Sequence, residues 1–147
     1  MSSYVPADLR RLVRARAERL CEYCLIHEDD TCLGCQVEHI ISEKHSGPTV
    51  EGNLALACVF CNRAKGTDIA GLATATGGLC RLFNPRIDNW REHFFLEGTH
   101  IVGRTDIGTA TASVLGFNVS SRLLEREEVQ RAGRYPSAAA RRRMTKA

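Results

Sequence analysis

Apolar residues recur at three- and four-residue spacing near the start of the chain, with Leu9, Leu12, Val13, Ala17 and Leu20 on one side and most of Arg10, Arg11, Arg14, Arg16 and Arg19 on the other. That pattern predicts an amphipathic helix over 7–20. Residues 35–41 read as a strand, and 42–52, with Gly47-Pro48 and Gly52, as a loop. The apolar run 54–57 is the returning strand, followed by a short helix that Gly66 stops. Glycine and threonine with weak periodicity make 66–80 an irregular connection. Segments 92–96 and 99–104 are β-prone and joined across Glu97-Gly98, a hairpin turn. Helices are expected over 107–117 and 119–132, broken near Gly116 and ended by Gly133 and Pro136. The fold class expected is α+β.

At 147 residues the chain has the length of one domain, assigned to 1–136, and the Ala- and Arg-rich stretch 137–147 reads as a basic, flexible tail. No apolar run approaches the ~20 residues that span a bilayer, and the N-terminus lacks a signal pattern. Seven cysteines in such a chain read as ligands and free thiols of a reducing, cytoplasmic setting. Net charge is only +3, but the five N-terminal arginines and Arg141, Arg142, Arg143 and Lys146 concentrate cationic surface suited to a polyanion.

Chemistry is concentrated between residues 21 and 65. Cys21-Glu-Tyr-Cys24 and Cys58-Val-Phe-Cys61 supply four soft thiolates, the set that tetrahedral structural Zn²⁺ prefers. Cys32-Leu-Gly-Cys35 is a third pair that one zinc ion does not need; free or apolar-packed thiols, a redox pair and a rearranged zinc site all remain open for it. Between the pairs lie Glu38-His39 and Asn53, and Asn62 follows Cys61 directly. Hydrolysing a phosphodiester requires an activated water, a cation at the phosphate and an aimed base. A histidine such as His39, with an ordinary pKa of about 6.5, accepts a proton from water at neutral pH. Glu38 and Asn62 offer oxygens suited to Mg²⁺ or Mn²⁺, and Asn53 can hydrogen-bond the imidazole of His39 or its backbone. Adjacent strand residues point to opposite faces, so if both serve one phosphate the strand is expected to end, twist or bulge at Glu38-His39.

The motifs Val37-Glu-His-Ile40, Asn53-Leu-Ala-Leu-Ala-Cys58 and Cys61-Asn-Arg-Ala-Lys-Gly66 resemble the HNH endonucleases of the ββα-metal class, in the subgroup with a four-cysteine zinc site. The close similarity covers about residues 14–66; Arg81–Arg86, Trp90 and Glu92-His-Phe94 resemble the extension of such proteins, taken as 81–136. The resemblance implies a zinc-stabilised ββα core and metal-dependent cleavage of DNA with the 3′-oxygen leaving, while the basic clusters suggest phosphate contacts and so a DNA partner bound without strong sequence specificity. It implies His39 as base, Asn53 as its positioner, and Glu38 and Asn62 as metal ligands, Glu38 standing where the family commonly has Asp. Lys65, in the family's Lys-Gly pair, together with Arg63 and His45, is expected to contact phosphate. The rival readings are a noncatalytic zinc module that binds nucleic acid, and a thiol redox protein using Cys32 and Cys35.

Overall fold

Helix α1, Ala7–Arg16, starts behind Pro6 with Asp8 in its first turn and Arg14 and Arg16 in its last, an order that complements the helix dipole. The computed structural model describes residues 4–145, and within it α1 ends earlier than its apolar spacing suggests. Glu18 and Arg19 take positive φ, 54° and 60°, which turns the chain so that Leu20 bridges to His27. Val13, Ala17 and Leu20 remain buried.

Strand β1, Cys35–His39, pairs antiparallel with β2, Leu54–Cys58, in a register running from Cys35 opposite Cys58 to His39 opposite Leu54. Every β2 residue is buried, which is why this strand reads as an unbroken apolar run rather than an alternating one. Helix α2, Val59–Lys65, follows at once, its start marked by Cys58 Sγ accepting from Cys61 N at 3.4 Å and its end by Gly66 at φ 52°. These elements form a ββα unit. No bulge interrupts Glu38-His39, since pairing runs regularly through both residues, but the strand ends at His39, one of the ways in which adjacent residues can serve one site.

The stretch 66–80 is more ordered than expected. Strands β3, Ala70–Leu72, and β4, Leu79–Arg81, form a hairpin against α4, Asp106–Val114. Gly71 is required there, since a Cβ would lie 2.6 Å from Val114 Cγ2. Farther on, α3, Trp90–His93, claims the first part of the expected strand at 92–96, leaving β5, Phe94–Glu97, paired with β6, His100–Gly103. Gly98 takes the left-handed turn position at φ 64°. Helix α5 spans Ser120–Arg131, close to its expected bounds.

The expected flexible tail is a docked helix. In α6, Ala138–Thr145, Ala140 is fully buried, Arg143 Nη2 donates to Arg16 O at 3.0 Å and Arg142 Nη2 meets Glu18 Oε1 at 2.7 Å. Lys146 lies outside the described residues. An aromatic row from Tyr23 through Phe83 and Phe94 to Phe117, with centroid separations of 6.4, 5.3 and 5.6 Å, joins the first cysteine pair to the C-terminal half. Trp90 Nε1 adds a bond to Tyr23 O at 2.8 Å. No helix among the described residues is long and apolar enough to cross a membrane. The architecture is α+β.

Candidate metal centre and catalytic cleft

The two cysteine pairs meet because Glu22, between Cys21 and Cys24, is zipped to β2: its amide donates to Leu56 O at 2.8 Å and its Oε2 accepts from Leu56 N at 2.9 Å. Leu25, at φ 64°, closes the knuckle by donating to Cys21 O. The sulfurs of Cys21, Cys24, Cys58 and Cys61 then lie within 4.8 Å of one another, all fully buried. Zn–S bonds of about 2.3 Å set tetrahedral sulfurs about 3.8 Å apart, and Cys24 Sγ lies 3.8 Å from Cys58 Sγ. Donor type, spacing and burial all fit a closed zinc site with no coordination position left for water. Burial pushes the Cys24 thiol up, but hydrogen bonds with Cys21, Cys58 and Cys61 and the charge of Arg122 hold it well below the ordinary value. Burial wins at Cys21 and Cys61, which stay well above it, so a bound cation is what would ionise the whole set. Cys32 is exposed and Cys35 buried, and neither joins the cluster.

Glu38, His39 and Asn62 line one cleft, together with Ser42, Lys44 and Gly66. Strand alternation turns Gln36 and Glu38 towards α2, where residues three apart face them. Asn62 Nδ2 donates to Gln36 Oε1 at 2.7 Å and Lys65 Nζ to Glu38 Oε2 at 3.1 Å. Glu38 is thereby drawn inward and is only 6% exposed. Burial lifts its pKa to about 7 even though Lys65 pulls it down. Its other oxygen, Oε1, is buried, and the buried hydroxyl of Tyr23 beside it also acts to lower the Glu38 pKa. On the next residue His39 is half-buried and its Nε2 lies 2.8 Å from Thr49 Oγ1.

The geometry bears on three of the expectations. Lys65 is not a phosphate contact: it is 2% exposed and donates to Glu38 Oε2, His39 O at 3.3 Å and Ile40 O at 2.9 Å. Asn53 turns its side chain to the loop that follows His39. Its Oδ1 accepts from Ile41 N and its Nδ2 donates to Ile41 O and Pro48 O, all at 2.9 Å, so it fixes the loop that carries Thr49. The arginine face of α1 is also less free than its sequence suggests, because Arg14 and Arg19 pair with Glu28 and Arg16 bonds Glu51 O and Leu54 O. His45 and Arg63 are exposed, on the loop and on α2 respectively.

Two residues of these sites carried no motif. Thr49 reaches His39 only because the loop folds back, and Arg122 reaches the cysteine cluster from α5, with Nη2 at 3.1 Å from Cys24 Sγ. Burial pulls the Arg122 pKa down, but Cys24, Cys61 and Cys58 outweigh it and hold it above the ordinary arginine value.

Compared with known families, residues 21–68 match the model described as HNH endonuclease. Neither the curated proteins nor the solved structures give a match.

Proposed function

Taking residues 21–68 as an HNH endonuclease domain, we propose that this protein is a metal-dependent nuclease that hydrolyses phosphodiester bonds in DNA. The observation that carries the reading is the convergence of Glu38, His39 and Asn62 on one cleft beside a four-cysteine cluster. His39 takes a proton from water, and Thr49 aims the ring through its 2.8 Å contact with Nε2. Asn53 is a positioning residue that sets Thr49 by pinning Ile41 and Pro48.

Glu38 and Asn62 would hold Mg²⁺ or Mn²⁺, since both line the cleft beside His39 and both offer oxygen donors. Such an ion, when bound, supplies positive charge to the phosphate and the departing oxygen. Lys65 holds the Glu38 carboxylate through Oε2, and burial excludes water from that side. The four cysteines would hold zinc in a structural role. By resemblance to the family the 3′-oxygen leaves, giving a 5′-phosphate. Phosphate contacts fall to the exposed Arg63 and His45, which carry no base readout and so give little sequence preference.

The inward pull on Glu38 favours a second reading, a noncatalytic zinc module that binds nucleic acid. Plasmid relaxation by zinc-loaded wild type and His39→Ala, with and without Mg²⁺ or Mn²⁺, separates the two. The nuclease reading expects divalent-dependent nicking by wild type alone. DNA binding without cleavage by either protein would favour the module.

A further inference from the structure

Arg122 lies on α5, outside residues 21–68, yet its guanidinium ends inside the cysteine cluster. Nη2 is 3.1 Å from Cys24 Sγ and 3.5 Å from Cys58 Sγ, and Nη1 is 3.5 Å from Cys61 Sγ. Three of the four clustered sulfurs thus face one planar fork of donors, a geometry that a lysine could not reproduce. The residue is 3% exposed, and its Cζ sits 5.4 Å from the Phe60 ring centroid. Its Nε turns the other way, to Glu125 Oε1 at 3.4 Å.

Charge accounts for this arrangement. Four thiolates around Zn²⁺ carry a net charge of −2, and a buried charge is costly unless it is paired and hydrogen-bonded. Helix α5 brings compensation from outside the coordination shell. One turn beyond Arg122, Arg126 is fully buried and donates to Thr99 O, Phe117 O and Asn118 Oδ1. No carboxylate among the described residues lies within ion-pair distance of it, so a second buried cation stands on the same helix.

We propose that Arg122 is an outer-sphere part of the zinc centre: its Nη hydrogens bond the sulfurs of Cys24, Cys58 and Cys61, offset the charge of the tetrathiolate and lock α5 onto the ββα unit. The proposal rests on the zinc reading of the four cysteines. Partners of this kind tune how tightly a first shell holds its metal.

The test is zinc affinity of the full chain, measured by competition with a chromophoric chelator for wild type, Arg122→Met and Arg122→Lys, with thermal unfolding of each in zinc-loaded and zinc-stripped form. Arg122→Met is expected to bind zinc about 10–100-fold more weakly, and its zinc-linked gain in Tm should shrink. Arg122→Lys, which keeps a charge but not the fork, should fall between the two. A residue that only packed would lower both melting temperatures equally and leave affinity unchanged, and that result overturns the proposal. If Arg122→Met is not recovered folded, Arg122→Lys is read against wild type, and equal affinity overturns it. Wild type that binds no stoichiometric zinc would instead defeat the zinc reading itself, a failure seen before any variant is compared.

Discussion

Lys65 Nζ lies 3.1 Å from Glu38 Oε2, with the two side chains only 3% and 5% exposed. The same ammonium donates to His39 O and Ile40 O, so one side chain fastens α2 to the end of β1 at the residues proposed for catalysis. Removing one partner of a sealed pair strands the other charge, at a cost of about 3–5 kcal/mol. Lys65→Met should therefore be destabilised by roughly that amount in urea unfolding. Adding Glu38→Gln to it should restore part of the loss, since no stranded carboxylate remains. A single variant as stable as wild type would mean that the pair opens to water.

Loop 41–49 offers a second prediction. Asn53→Ala deletes three hydrogen bonds, and at about 1 kcal/mol net for each the loss is about 3 kcal/mol. Hydrogen exchange at the Ile41 amide should accelerate, and cleavage should fall with His39 still in place. Gly47→Ala should be as damaging, because its Cβ would stand 1.7 Å from Ile41 O and 2.9 Å from Asn53 Nδ2. Unchanged exchange at Ile41 in both variants would contradict the positioning role of Asn53.

Zinc removal should unfold the ββα unit rather than slow turnover alone. All four sulfurs sit in the same core as Leu54, Leu56 and Tyr23, so the metal and the core form together. Chelation is expected to abolish the near-ultraviolet circular dichroism of this core and to lower the melting temperature of the rest of the chain. A zinc-free protein with an unchanged melting curve would defeat the structural assignment.

The acid limb of stability should depend on Asp88. Burial pushes its carboxyl up, but Arg81, at 2.8 Å from each oxygen, and the Asn84 amide bring it below the ordinary aspartate value. The native state thus holds fewer protons than the unfolded chain as acid is added. The stabilisation is complete above the ordinary aspartate pKa of about 4 and is lost as pH falls through the lower native value. Melting temperature against pH should show a steeper acid fall for wild type than for Asp88→Asn. Parallel curves would assign the acid limb to other carboxylates.

Much of the ββα unit was legible because its signals are local. Paired cysteines, an apolar run and Gly66 each act within a few residues, and they place β1, β2 and α2 almost to the residue. The hairpin β3–β4 was not legible, since three-residue strands containing Ala70 and Gly71 show no alternation and gain their order from α4. Helix α6 was missed for a related reason: its arginines find Glu18 and Arg16 O more than a hundred positions away. Lys65 is the instructive error. Its motif suggested a surface role, yet its i, i+3 relation to Asn62, set against Gln36 and Glu38 two apart on a strand, already described two matched rungs. Thr49 and Arg122 depend on how the chain returns on itself, and single-residue chemistry does not reveal that.

Tyr135 Oη donates to Cys24 O at 2.9 Å, as Trp90 does to Tyr23 O, so the first cysteine pair is finished by residues far downstream. In a chain emerging from the ribosome all four cysteines are available well before either partner. A chain halted before Tyr135 would carry its metal ligands but leave the knuckle carbonyl of Cys24 without its buried hydroxyl partner. Synthesis of the chain through Tyr135 is therefore itself the step that seals this centre.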